Sequence, residues 1–329
     1  MADNPWGSSS SAPTPPPARG REWDLLEKVV MASVQEQRRS RRWGIFFKLM
    51  TFLYLAMLIW MIFGSSSVEK AAIAGSHTAV VNVTGEISDS SDASADAIIA
   101  GLQAAFEAPK SKAVVLRINS PGGSPVQSAY VYEEIRRLRA LHKDKKVYAV
   151  ITDMGASGAY YIASAADQIY VNQGSLVGSI GVIMQGFGVQ GLMQKLGVED
   201  RTMTAGEHKA ILSPFEPMKP EEKAHVKTVL DTVHQQFIAA VRQGRGQRLK
   251  ENPDIFSGLF WTGQQAVELG LADGFGSVDS VARTVIGAKD VVDYSEVPDP
   301  VTAVLRKLGA SMGEAAAARM APAQGMQLR

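Results

Sequence analysis

From residue 78 onward, short apolar runs rich in β-branched residues alternate with stretches of helical periodicity, and few folds accommodate that alternation. T-A-V-V-N-V-T-G (78–85), A-V-V-L-R-I-N (113–119) and V-Y-A-V-I-T (147–152) read as strands, and the segments near 93–107 and 124–141 read as the helices between them. Parallel neighbours need a crossover, usually helical, so this order predicts an α/β fold with a largely parallel, buried sheet. Q-I-Y-V-N (168–172) and G-V-I-M (181–184) are expected to add strands. Residues 220–243 predict a long helix: Pro220 suits its first turn, and Val226, Leu230, Val233, Phe237 and Val241 recur at helical spacing.

The chain ahead of this domain is of another kind. Residues 1–42 form an N-terminal segment. Its first 20 residues are rich in Ser, Pro and Ala, with too little apolar surface to fold. Residues 21–37 predict a short amphipathic helix with Trp23, Leu26, Val29, Val30 and Val34 near one face. Trp43 to Phe63 follow as an apolar run broken only by Lys48; as a helix it would be about 31 Å long, enough to cross a bilayer core. Trp43 and Trp60 would lie near the two interfaces. Ala72-Ile73-Ala74 resembles a leader cleavage site, but the residues ahead of the run far exceed a secretory n-region, so a retained anchor is the expectation. Arg38, Arg39, Arg41, Arg42 and Lys48 precede or open the run and Lys70 alone follows closely. This asymmetry places the N-terminus in the cytoplasm and the rest outside. Residues 64–77 read as a linker, 78–308 as the main domain and 309–329 as a low-complexity, mobile tail.

Composition removes several classes of function. The net charge of +1 carries no electrostatic signature for nucleic acid. The absence of cysteine excludes disulfides, thiolate ligands and a thiol nucleophile. None of the five histidines falls in a zinc-site pattern. No cofactor or metal is expected.

Three segments combine glycine with polar residues where strands end, the usual position of sites in open α/β sheets. N-S-P-G-G-S (119–124) could expose backbone N–H groups to a developing oxyanion, or could be a plain strand-to-helix turn. D-M-G-A-S-G-A-Y-Y (153–161) holds Ser157 among small residues, like a nucleophile elbow in which Ala159 stands where the second glycine of G-x-S-x-G belongs. The alternative for Ser157 is a helix N-cap. A serine hydroxyl needs a base, and T-A-G-E-H-K-A-I-L-S-P (204–214) offers His208, which Glu207 or Asp153 could orient, and Lys209. Spacing does not choose between them.

Together these segments resemble the signal peptide peptidase A family, membrane-anchored serine–lysine proteases related in fold to the Clp protease and crotonase enzymes. The matching pieces are V-V-L-R-I-N-S-P-G-G-S (114–124), M-G-A-S-G-A-Y-Y-I-A-S-A-A-D (154–167), V-G-S-I-G-V-I (177–183), H-K-A-I-L-S-P (208–214) and W-T-G-Q-Q-A-V-E-L-G-L-A-D-G-F-G (261–276), in the family's order and covering about residues 78–287. The resemblance implies a Clp/crotonase-like α/β fold. It implies Ser157 as nucleophile, Lys209 as general base and later acid, and Ser179 as the hydroxyl that helps place the lysine. The oxyanion hole would come from the N–H groups of Gly158 and of Gly123, with Gly122 as the alternative to Gly123, and His208 would have no part. The implied reaction is peptide hydrolysis through an acyl-enzyme, at the outer side of the cytoplasmic membrane, on released signal peptides or unfolded exported polypeptides. The implied assembly is a homo-oligomeric ring, with the octamer in view, whose serine and lysine come from neighbouring copies. Leu259, in S-G-L-F (257–260), departs from the arginine common in the family. A crotonase-like acyl-CoA enzyme and a non-catalytic, membrane-anchored peptide-binding scaffold are the other classes compatible with these features.

Overall fold

The computed structural model describes residues 20–72, 75–250 and 252–295; the side chains of 21–26, 35 and 59–72 are outside that description. The expectations for residues 1–19 and 309–329, and the domain boundary at 308, lie outside the described residues. The chain divides into two units, Met1–Val68 and Glu69–Arg329.

Helix α1 (Arg21–Ala72), most of which belongs to the first unit, runs without a break. It absorbs the separate helix expected over 21–37 and most of the linker expected over 64–77. No proline occurs between residues 18 and 108, and Gly44 and Gly64 are isolated. One glycine costs a helix only about 1 kcal/mol, too little to end it. The expected span, 43–63, lies inside α1 but is not reproduced as a membrane helix: among the described residues no helix is long and apolar enough to cross a membrane.

The second unit is the predicted α/β domain. Its elements are β1 (His77–Thr84), α2 (Ala95–Glu107), β2 (Ser111–Ser120), α3 (Pro125–Leu141), β3 (Lys146–Ala156), α4 (Gly158–Ala163), β4 (Gln168–Val171), β5 (Leu176–Gly178), α5 (Gln190–Leu196), α6 (Pro220–Arg245), β6 (Phe260–Thr262), α7 (Gly263–Glu268), β7 (Gly274–Phe275), α8 (Val278–Val281) and β8 (Val291–Asp293). The sheet order is β6-β5-β3-β2-β1-β8, with β4 between β3 and β7 off that path. Every pairing is parallel except β5 with β6.

Side-chain alternation sets the layers. Ala79, Val81 and Val83 of β1, Val114, Leu116 and Ile118 of β2, and Val147, Ala149 and Ile151 of β3 join the large core with α2, α3, α4 and α6. The intervening Val80, Val115 and Val150 face the other way, onto a small cluster with Val281 of α8.

Strand β3 changes partner along its length. Tyr148–Ile151 pair with β4, whereas Met154–Ala156 pair with β5. At the fork the buried Ser175 hydroxyl donates to the carbonyls of Thr152 and, at 3.2 Å, Ile151. Above the fork β3 pairs with β2 through Ser120 and Gly155, after a break in register. The strand expected at 181–184 is absent. The chain leaves the sheet at Ser179, where φ is +50°, and Ile183 and Met184 are exposed.

A buried ion pair fastens α6 to the sheet. Arg245 is fully buried; it donates to both carboxylate oxygens of Asp273 at 2.8 and 2.9 Å and to the Gly270 carbonyl at 2.9 Å. The Asp273 carboxylate also accepts from the Ile169 N–H at 2.7 Å. Burial alone would push the Asp273 carboxyl up, but the Arg245 hydrogen bonds and charge outweigh it and hold the group below the usual carboxylate range.

Candidate active site

Ser157 sits where β3 turns into α4, at φ 54° and ψ −127°. A residue with a Cβ is rarely found there, and holding it costs about 1–3 kcal/mol. Neighbouring backbone supplies the restraint: the Ser157 N–H donates to the Gly178 carbonyl at 2.8 Å, and the Ser157 carbonyl accepts from Tyr161 at 3.0 Å. Ser157 occupies the N-cap position of α4, yet its side chain makes no capping hydrogen bond. The alternative of a structural cap therefore fails, and the half-buried hydroxyl has no partner among the described residues.

The N-S-P-G-G turn packs directly against this serine. The Ser120 hydroxyl accepts from the Gly122 N–H at 3.1 Å, and the Gly122 carbonyl accepts from Ile87 at 2.8 Å. Gly122 has φ 97°, and a Cβ there would lie 2.7 Å from the Ser157 Cβ and from the Gly158 nitrogen. At Gly123 a Cβ would fall 2.2 Å from the Ile87 carbonyl oxygen, so two backbones meet where only glycine fits. Since the Gly122 N–H is engaged, Gly123 is the donor available from this turn. The ladder with Ile87 uses the Ser124 N–H and the Gly122 carbonyl, and leaves the Gly123 N–H on the side away from Ile87. A Cβ on Gly158 would lie 3.4 Å from the Gly123 nitrogen, so the two glycines pack against each other. The Gly158 N–H is the first of α4 and has no intrahelical acceptor.

Ser179 is the second serine with positive φ; among the described residues Leu212 is the only other non-glycine residue with one. Its N–H donates to the Leu259 carbonyl at 2.8 Å. Leu259 thus supports Ser179 through its backbone, and its side chain is half exposed.

Lys209 is not brought to Ser157 within the chain. It lies on an exposed turn whose N–H donates back to Gly206 at 3.1 Å, and it does not line the cavity at Ser157. His208 beside it faces Glu222 at 3.8 Å rather than Glu207, which is exposed, or Asp153, which accepts from Asn119 at 2.8 Å. The segment from Ser179 to α6 also exposes Ile183, Phe187, Leu196 and Met203, the last two at 68% and 96%.

Next to Ser157, Gly123 and Gly158 opens a cavity of about 270 Å³ walled by Val126, Ala129, Tyr130, Tyr161, Val182 and Phe237. These walls went unrecognised in the sequence: Phe237 reads there only as one of a row of apolar positions on α6, with no mark separating a cavity wall from core.

Comparison with known proteins gives a consistent picture. The model of the family described as Peptidase family S49 matches residues 139–291. A Synechocystis sp. protein named as a candidate protease is 35% identical over 207 residues, 62% of this chain and 74% of that protein. The chloroplastic serine protease SPPA of Arabidopsis thaliana is 31% identical over 223 residues, 67% of this chain and 32% of that protein. A Brucella melitensis protein named Na(+)/H(+) antiporter NhaA is 47% identical over 188 residues, 57% of this chain. The match covers 25% of that protein's length, and its antiporter name is not carried to this chain.

Proposed function

The chain belongs to peptidase family S49, and from that membership we propose that it is a serine endopeptidase working through a Ser157–Lys209 dyad and an acyl-enzyme. The observation that carries the proposal is the backbone of Ser157: a strained residue at a strand-to-helix turn, its hydroxyl uncommitted, beside two glycine N–H groups.

In this reading the Lys209 amine removes the Ser157 proton, and Ser157 Oγ attacks the scissile carbonyl. The Gly123 and Gly158 N–H groups stabilise the oxyanion, an effect worth about 3–4 kcal/mol for each well-placed donor. Lysine then protonates the leaving amine, and water releases the acyl group. Ser179 helps place the lysine. The cavity beside Ser157 takes the side chain that precedes the cleaved bond, and its apolar walls favour an apolar residue. Signal peptides and unfolded exported chains supply such residues.

Lys209 comes from a neighbouring copy in a homo-oligomeric ring. Its position on an exposed turn, in a segment that exposes large apolar side chains, supports this reading. Residues 43–63 anchor the ring in the cytoplasmic membrane with the peptidase domain outside, on the strength of the apolar run and its flanking arginines.

Subunit mixing tests the proposal. Ser157→Ala and Lys209→Ala proteins should each be inactive on an apolar peptide substrate and still assemble. Mixed after dissociation, they should recover activity, because some sites then hold both residues. An active Lys209→Ala protein alongside an inactive His208→Ala protein would sink the dyad; no recovery on mixing would sink the shared site alone.

A further inference from the structure

At the end of the sheet opposite Ser157, the last turns of α3, the turn after it and the first residue of β3 enclose a second cavity of about 270 Å³. It has no place in the reaction above. Strand β3 runs from Lys146 at this cavity to Ala156 beside the serine, so the two are roughly 30 Å apart. Five cationic side chains line it: Arg136, Arg139, Lys143, Lys145 and Lys146. Asp167 is the one carboxylate among the lining residues, and Asp144, in the same turn, does not line it.

Asp167 cannot balance this charge. One of its oxygens accepts from Arg139 at 2.5 Å and the other from the Val147 N–H at 2.8 Å, which leaves Lys146 at 3.8 Å. Three of the cations are held in place by other groups. Arg139 also donates to the Ala165 carbonyl at 2.6 Å, Arg136 to Gln243 at 2.8 Å, and Lys145 to the Phe106 and Ala108 carbonyls at 2.7 and 2.9 Å. Lys143 has no partner among the described residues, and Lys146 has only the long approach to Asp167.

Cations at a helix C-terminus offset the helix dipole, and that accounts for Arg139, in the last turn of α3, while Arg136 is tied to Gln243. It does not account for Lys143 and Lys146, which lie beyond α3, or for their convergence on a concavity. Like charges held together in this way repel, and a multivalent anion relieves the repulsion while accepting several charge-assisted hydrogen bonds. A phosphate group offers the needed oxygens and more than one negative charge. We propose that this basic cavity binds a phosphate group, free or carried on a lipid headgroup, through Lys143 and Lys146 over a floor of fixed arginine and lysine. The proposal is independent of the peptidase reading.

The test uses the full chain, its Lys143→Ala/Lys146→Ala variant and its Lys143→Arg/Lys146→Arg variant. Both lysines are exposed, so folding is preserved and the N-terminal helix is common to all three. In the first arm, melting temperature is followed against inorganic phosphate, with sodium chloride at matched ionic strength as reference. In the second, co-sedimentation compares vesicles of phosphatidylcholine with vesicles of equal parts phosphatidylcholine and phosphatidylglycerol. A phosphate-specific rise in melting temperature whose half-saturation moves up roughly tenfold or more in the alanine variant, and is retained by the arginine variant, supports a free phosphate. A difference between alanine variant and parent only on anionic vesicles assigns the headgroup. Identical behaviour of parent and alanine variant in both arms overturns the proposal, as does a rise that chloride reproduces.

Discussion

Ser157 and Ser179 are joined through one peptide group: the Ser157 N–H donates at 2.8 Å to the Gly178 carbonyl, whose carbon is bonded to the Ser179 nitrogen. Both serines have positive φ, and the Ser179 N–H is itself held by Leu259. The two serines therefore share one frame, and displacing either turn moves the other.

Strain at Ser157 predicts a split between stability and activity. Ser157→Ala keeps a Cβ at φ 54°, whereas Ser157→Gly does not. The glycine variant should be the more stable of the two by about 1 kcal/mol, the left-handed penalty a Cβ carries, reduced by the greater freedom of glycine in the unfolded chain. Denaturant melts of the two variants check this; an alanine variant more stable than the glycine variant would show the turn to be unstrained.

Gly158→Ala should weaken the fold, and Ser128→Ala should restore it. A Cβ at Gly158 meets the Ser128 hydroxyl at 2.4 Å but the Ser128 Cβ at an acceptable 3.4 Å. That hydroxyl is buried and donates to the Ser124 carbonyl at 2.9 Å, so moving it gives up a hydrogen bond of about 1 kcal/mol. A double-mutant cycle in stability should show a favourable coupling of about that size; simple additivity would remove the contact from consideration.

Ala129→Leu should narrow the cavity beside Ser157. Peptides with a large apolar residue before the cleaved bond should lose roughly tenfold or more in kcat/KM, while those with a small residue change little. Equal losses across a substrate series would mean that this cavity does not read that side chain.

The Arg245–Asp273 pair predicts a stability that depends on pH in a known direction. The Asp273 pKa is lower in the folded chain than in the unfolded one. Its contribution is thus fully present above the unfolded value of about 4 and is lost as pH falls through the folded value. Asp273→Asn leaves the buried guanidinium uncompensated and should cost about 3–5 kcal/mol at neutral pH. The variant's melting temperature should also fall less steeply than the parent's below about pH 4. Melting curves across that range decide the matter.

Periodicity was enough to place β1, β2, β3 and the long helix α6, because their apolar residues repeat at the interval that burial demands. It misplaced a strand at 181–184 because apolar composition reports a need for cover without saying what provides it. Val182 walls the cavity at Ser157 and Ile183 lies open to solvent. The glycines of the site were legible through their motif, since Gly123 and Gly158 stand where a Cβ would strike backbone or a buried hydroxyl. The preference for Gly123 over Gly122 rested on the resemblance alone. In the structure it depends on where the Ser120 hydroxyl accepts its hydrogen bond, a matter of geometry that spacing does not encode. Arg245 and Asp273 were also invisible, because charges 28 positions apart leave no periodic trace.

The fork in β3 divides the molecule's resistance to opening. Below it, β2, β3 and β4 lie over the large core. Above it, the stretch leading to Ser157 rests on the three-residue strand β5, which is backed by the equally short β6. Amide protons in the lower tier should exchange with solvent only when the whole domain unfolds, and those of β5 and β6 by local release at lower free energy. Ser157 thus rides on the tier that opens first, and a polypeptide entering beside it would meet the part of the domain best able to yield.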